Sequence, residues 1–225
     1  MSNYLRLKKM LYVVSLAAVS IVLGLVEITW PIPGANFLKL DFSEVAILVA
    51  LIVLGTKETL FVVLIRSLAR RLFNGFTPDG LVGELIAIFA SFAIIIAYNL
   101  SRKVLKLNEK PLIYEVSMNG NEHQLKETIV TTLLIASVLT VVLFVLNFFI
   151  TTPIYYTLPN PYVPVLSISG RLHFHVFSFI PDSPFTWGQY FWALFVIYIP
   201  FNITKGILVS IVFMLLKPRI KYLEL

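Results

Sequence analysis

The chain has 225 residues, 58% of them apolar and only 13% charged, with a mean hydropathy of +0.88 and a formal net charge of +6. A soluble domain is roughly 45–50% apolar and about 25% charged. This composition therefore describes a polytopic membrane protein with five or six spans of roughly 20 residues and no room for a second soluble domain of normal size. Cysteine is absent, which excludes disulfides, thiol catalysis and cysteine-based zinc sites. The basic residues sit beside apolar runs, a pattern of membrane topology rather than of nucleic-acid binding.

Six spans are predicted. The first, 9–30, follows Arg6, Lys8 and Lys9. Its apolar run is longer than the roughly 7–15 residues of a signal-peptide core, so it is read as a retained helix. It is expected to stop at Trp30-Pro31-Ile32-Pro33-Gly34. Ala17, Ser20 and Gly24 form a stripe of small residues that permits close helix approach, a candidate interface for a partner protein. The second span, 43–56, is short for a full crossing and starts behind Lys39-Leu40-Asp41-Phe42-Ser43-Glu44, where Asp41 or Ser43 caps the helix. Lys39 and Asp41 either contact a ligand from above the bundle or form a surface ion pair at a helix start.

The third span, 58–74, carries Arg66, Arg70 and Arg71. The fourth, 80–101, follows the turn Asn74-Gly75-Phe76-Thr77-Pro78-Asp79-Gly80, and Glu84 near its start is expected to pair with Arg66 or Arg70. A charged connector, 101–126, leads to the fifth span, 126–151, with a short hairpin expected around Asn119-Gly120-Asn121. Asn147 lies toward the outer end of that span. Its amide either bonds a neighbouring helix or pairs with an imide-like ligand edge.

The stretch 152–188 holds six prolines, His173 and His175 in strand-like alternation, and Tyr155, Tyr156 and Tyr162. It reads either as a lid over a site or as a solvated linker. The tyrosines suit an interfacial belt, or closure over a flat ligand, for which Tyr155 is the candidate. No third ligand accompanies the histidines, so no metal site is expected.

The sixth span, 188–216, contains Pro200-Phe201-Asn202-Ile203-Thr204-Lys205. Asn202 and Lys205 are three residues apart and lie near one helix face. Polar groups so deep in a span are costly in hydrocarbon and mark a site or cavity. Lys205 lies about 11 residues from Leu216, too deep for its stem to reach the interface easily. Placing both termini in the cytoplasm puts 12 of the 18 basic residues inside and the 152–188 segment outside. No P-loop, zinc-protease motif or nucleophile elbow is present, so the expected task is binding and translocation with energy supplied elsewhere. An intramembrane enzyme using Lys205 with Asp41 or Glu84, and a stand-alone carrier or channel, are the rival readings.

Four segments carry a family resemblance: Phe37-Leu38-Lys39-Leu40-Asp41-Phe42-Ser43-Glu44-Val45, Val82-Gly83-Glu84, Leu146-Asn147-Phe148-Phe149 leading to Pro153-Ile154-Tyr155, and Ile199-Pro200-Phe201-Asn202-Ile203-Thr204-Lys205-Gly206. In order and spacing the chain resembles the S component of energy-coupling factor (ECF) vitamin transporters, most of all the riboflavin-specific type. The resemblance implies an all-α integral membrane fold: one membrane domain over 1–225, six transmembrane helices, both termini cytoplasmic, in the plasma membrane of a bacterium. It implies a vitamin site near the outer surface, closed by the loop after the first helix. It also implies docking onto a shared module of one transmembrane coupling protein and two ATPases. Asn147, Asn202 and Lys205 would then help hold riboflavin as transported ligand, without any cofactor. Lys39, Leu40, Asp41 and Tyr155 are the further candidate substrate contacts. Pantothenate, a pyridoxine-like vitamin or a pyrimidine precursor of thiamin are the alternative ligands on the same scaffold.

Overall fold

A computed structural model describes residues 3–31, 38–106, 121–152, 172–175, 178–181 and 187–220. Among them are six helices: α1 (Asn3–Gly24), α2 (Ser43–Leu54), α3 (Thr56–Asn74), α4 (Pro78–Val104), α5 (Asn121–Leu146) and α6 (Trp187–Ile220). A π-helical turn, Asn147–Thr151, continues α5. Two small antiparallel pairs complete the described elements: β1 (Ile28–Thr29) with β2 (Lys39–Leu40), and β3 (Leu172–His175) with β4 (Ser178–Pro181). The alternation expected at His173 and His175 is thus that of a strand. Tyr155, Tyr156, Tyr162 and the turn at 119–120 lie outside the described residues.

Among the described residues, four helical stretches are long and apolar enough to cross a membrane: Arg6–Gly24, Gly80–Val104, Leu125–Thr151 and Tyr190–Ile220. The apolar α2 has 12 residues, about 18 Å at 1.5 Å per residue, against a hydrocarbon core of about 30 Å. Large apolar side chains such as Leu11, Val14, Phe61, Leu64, Ile96 and Leu133 lie exposed on the helix surfaces, as lipid-facing positions do.

α1 begins earlier and ends earlier than its hydropathy suggests. It stops at Gly24, well before the prolines, because Ile28 and Thr29 pair with Leu40 and Lys39. The Trp30 N–H then donates to the Leu38 carbonyl at 2.9 Å. These backbone bonds fold the segment between α1 and α2 into a short hairpin. The small-residue stripe makes a contact within the chain. Ala17 and Ser20 are buried against the chain's own α2, and the Ser20 hydroxyl donates to the Ser43 carbonyl at 2.9 Å. A Cβ on Gly24 would sit 3.6 Å from that of Ser43. The close approach that small residues permit is used here between α1 and α2.

A single residue, Gly55 (φ 89°), joins α2 to α3. Only glycine takes this left-handed geometry without strain. The tight hairpin makes Glu44, ten positions before the end of α2, level with Arg66, ten positions after the start of α3. Both are fully buried, and Arg66 Nη1 donates to Glu44 Oε1 at 3.0 Å. Arg66 Nη2 donates to Ser91 Oγ of α4 at 2.9 Å. Arg66 thus pairs with Glu44, which leaves Arg70, the other expected partner, to Glu84.

The core runs between α2, α4, α5 and α6 through Ile47, Leu48, Leu51, Ile94, Ile135, Leu139 and Phe213. Tyr98 meets Phe213 edge to face at 5.4 Å. α5 is bound to α4 by Thr131 Oγ1 to Ser101 Oγ at 3.2 Å. At the far end of α6, Lys217 is paired with Glu127 of α5, both nearly buried. Gly206 marks a close contact of α6 with α5: a Cβ there would lie 2.6 Å from Ala136 Cα.

Candidate functional site

Residues from five separated segments meet at one cavity of about 380 Å³, a volume in the roughly 300–1,000 Å³ range of small-molecule sites. One wall comes from α5 and α6. Asn147 opens the π turn and is 4% exposed. Its Nδ2 donates to the Leu143 carbonyl at 2.7 Å, which uses one of its two amide protons. Single π turns inside α-helices frequently mark functional sites. This one re-aims the chain just where the amide meets the cavity.

Asn202, on the facing helix, is 1% exposed and its Nδ2 has no hydrogen-bond partner among the described residues. A buried amide left unpaired costs about 1–3 kcal/mol, so this group is a donor waiting for an acceptor. Pro200 one half-turn earlier has no N–H, which frees the Val196 carbonyl within the same helix. Leu143, Tyr198 and Phe201 supply apolar surface around the amides. Trp30, from the hairpin, meets Phe201 edge to face at 5.6 Å.

Lys205, one turn beyond Asn202, reaches Asp41 Oδ2 at 3.1 Å. Asp41 Oδ1 accepts the Ser43 N–H at 2.9 Å and also the Ser43 hydroxyl. The cap position of α2 is Phe42, whose side chain makes no capping bond, so neither Asp41 nor Ser43 is the cap; Asp41 sits one residue before it and bonds Ser43, the first residue of the helix. Burial alone would push the Asp41 carboxyl up, but the Lys205 ammonium and the Ser43 bonds outweigh it and hold it well below the usual carboxylate range. The pair ties the sixth helix to the segment preceding α2 across 164 positions of sequence.

The opposite wall is charged. Arg70 and Arg71 end α3, and Gly80, Gly83 and Glu84 begin α4. Glu84 Oε2 lies 3.3 Å from Arg71 Nε and 3.8 Å from Arg70 Nε. Lys39 of β2 also lines the cavity and pairs with Glu27 at 2.5 Å.

Of the residues expected from sequence, the structure brings Lys39, Asp41, Asn147, Asn202 and Lys205 to this cavity. Leu40 is buried but does not line it, while Leu38 does. Tyr155 is outside the described residues. From sequence, Glu84 is expected as an ion-pair partner of Arg66 or Arg70, with an acid–base role only in the rival enzyme reading; Arg71 is given no role there, and Glu27, Tyr198 and Phe201 are not singled out. The signal for the arginines was available. Once the Gly55 hairpin levels Arg66 with Glu44, the next helical turn of α3 must project beyond the start of α2. Among the described residues, no group of three or more acidic or histidine side chains clusters as metal ligands do.

The sequence matches the family described as "ECF transporter, substrate-specific component" over residues 8–217. It is 29% identical over 216 residues to the "Riboflavin transporter RibU" of Streptococcus thermophilus, covering 95% of this chain and 83% of that protein. It is 28% identical over 215 residues to the "Riboflavin transporter RibU" of Staphylococcus aureus, covering 95% of this chain and 90% of that protein. A solved structure of the S component of a bacterial ECF transporter superposes with a TM-score of 0.63 at 23% identity, over 97% of this chain and 98% of the other. At that identity the likeness is one of fold.

Proposed function

Because the chain belongs to the family of substrate-specific components of ECF transporters, we propose that it captures riboflavin in this cavity and passes it to a shared energising module. It is a component of a membrane transporter, not an enzyme. The observation that carries the ligand assignment is the pair of buried amides, Asn147 and Asn202, on facing helices beside an apolar and aromatic wall. The pyrimidine edge of a flavin offers carbonyl acceptors and an imide N–H, the complement of two side-chain amides. Its fused rings need an apolar slot. The naming of both curated relatives as riboflavin transporters supports the same choice.

In this reading the chain is one membrane domain of six spans. The short α2 and charged α3 complete the set begun by the four long apolar helices, and both termini lie in the cytoplasm. The cavity then opens outward, with the Ile28–Leu40 hairpin above it. The Lys205–Asp41 pair joins that hairpin's C-terminal end to α6 and fixes the rim of the site. Energy comes from a coupling protein and two ATPases that bind the chain as a unit.

A titration of the purified protein against riboflavin, pantothenate, pyridoxine and the pyrimidine precursor of thiamin tests the ligand. Saturable quenching of flavin fluorescence, with no competition from the other three, is expected. Tight binding of another vitamin without flavin binding would reassign the ligand and keep the family role. Reconstitution tests the role: uptake into liposomes is expected only when the ATPase module and ATP are present.

A further inference from the structure

The described cations fall into two sets. Toward the cavity and the core each lies beside a carboxylate: Lys39 beside Glu27, Lys205 beside Asp41, Arg66 beside Glu44, and Arg70 and Arg71 beside Glu84. At the other end of α3 and α4 that balance is lost. Lys9 of α1 reaches Glu58 Oε1 of α3 at 3.2 Å, and Asn99 of α4 donates to Thr56 Oγ1 of α3 at 3.4 Å. These two bonds gather the start of α1, the start of α3 and the end of α4 into one corner. Lys57 lies between Thr56 and Glu58. Arg6 precedes Lys9 by three positions and Lys103 follows Asn99 by four, each about one helical turn further out. Lys106 is held beside Lys103 by its N–H, which donates to the Lys103 carbonyl at 3.1 Å. Arg6, Lys57, Lys103 and Lys106 are all exposed, and none has an ion-pair partner among the described residues. Glu58, the acid at this corner, is already bonded to Lys9.

Exposed apolar side chains adjoin these cations. Leu7 and Leu11 on α1, Phe61 and Leu64 on α3, and Ile96 and Leu100 on α4 lie within about two turns of them. A charge cluster at the end of an apolar, lipid-facing surface matches one class of molecule, an anionic head on hydrocarbon chains. A general excess of basic residues at one face of a membrane protein sets topology and needs no particular lipid. This corner differs because side-chain bonds tie three helix ends together, so that unmatched cations from three elements meet at one place.

We infer that the corner formed by α1, α3 and α4 is a binding site for anionic phospholipid of the phosphatidylglycerol type. Arg6, Lys57, Lys103 and Lys106 hold the headgroup phosphate, and the adjoining apolar side chains hold the acyl chains. A lysine or arginine near an anionic membrane surface contributes about fivefold in affinity. The site is separate from the cavity and depends on neither the flavin reading nor the energising module.

The test titrates fluorescently labelled phosphatidylglycerol, and phosphatidylcholine of the same chain length, onto the full-length protein in neutral detergent at about 0.15 M salt. Melting temperatures are recorded on the same samples. The wild type is expected to prefer phosphatidylglycerol by about tenfold or more. Lys57→Gln/Lys103→Gln should remove most of that preference and keep the wild-type melting temperature in lipid-free detergent, because both side chains are exposed. Lys57→Arg/Lys103→Arg should keep the preference. Arg219→Gln, on α6, should weaken phosphatidylglycerol less than Lys57→Gln does. Equal binding of the two lipids by the wild type would overturn the site; this arm needs no variant. A wild-type preference in the glutamine double variant would overturn it as well. So would an equal loss in Arg219→Gln and Lys57→Gln, which would show a response to net charge alone. Displacement of the lipid by glycerol 1-phosphate at equal concentration would show that the chains contribute nothing and overturn the lipid assignment.

Discussion

Asn202 and Gly206 are four residues apart on one face of α6, and their surroundings are opposite. At Gly206 the helix lies so close to α5 that a methyl group would strike the Ala136 backbone at 2.6 Å. At Asn202, one turn away, the helix borders a cavity and an amide nitrogen has no partner among the described residues. The facing helix shows the same gradient, from Ala136 at the tight contact to Asn147 in its π turn. Within one turn of α6 the neighbour changes from backbone in direct contact to a cavity wall. On the proposed reading, a ligand in this cavity supplies the partner that Asn202 lacks among the described residues.

Substitutions in the closed region should act on folding, and those in the open region on binding. The largest effect is expected from Arg66→Met. It strands the buried Glu44 carboxylate, a loss of about 3–5 kcal/mol, read as a collapse of thermal stability in detergent. A preserved melting temperature would show that the pair contributes little. Gly206→Val should follow, destabilising by about 1–3 kcal/mol through overpacking against Ala136. Its riboflavin binding should fall only in step with folding. A variant that folds normally but binds poorly would place Gly206 in the site rather than the scaffold.

Lys205→Ala should weaken riboflavin by about 1–3 kcal/mol while changing the melting temperature less than either core variant, because it frees Asp41 at the cavity rim. The same pair predicts a pH dependence. A carboxyl held below its ordinary value contributes fully above the unfolded pKa, near 4, and loses that contribution only as pH falls through the lower folded value. Affinity should therefore be flat from about pH 8 to about pH 5, and a titration step within that window would contradict the pairing. Ser20→Ala is expected to give the smallest change, about 1 kcal/mol of stability, with binding untouched.

Much of this site was legible because lipid makes polar residues conspicuous. Asn147, Asn202 and Lys205 stand out in apolar runs, and all three line the cavity. The arginines were harder. Arg66 and Arg70 share a face of α3, so sequence alone left Glu84 as partner to either. The choice depended on Gly55 making the α2–α3 turn a single residue, which sets Arg66 against Glu44. The small-residue stripe at Ala17, Ser20 and Gly24 shows a different limit. Its pattern announces a close helix contact but cannot say whether the neighbouring helix belongs to another chain. Here that neighbour is α2. The end of α1 was displaced for a related reason: the pairing of Ile28 with Leu40 is a backbone event that hydropathy does not register.

The central claim is that the unpartnered amide of Asn202 is completed by the flavin. A riboflavin titration of wild type and Asn202→Ala, with melting temperatures recorded on the same samples, tests it most directly. The account predicts that the alanine variant melts at or above the wild-type temperature, since a buried unpaired donor has been removed, and binds riboflavin roughly 5- to 150-fold more weakly, as expected for a lost buried hydrogen bond of about 1–3 kcal/mol. Unchanged affinity in a normally folded Asn202→Ala protein would contradict it.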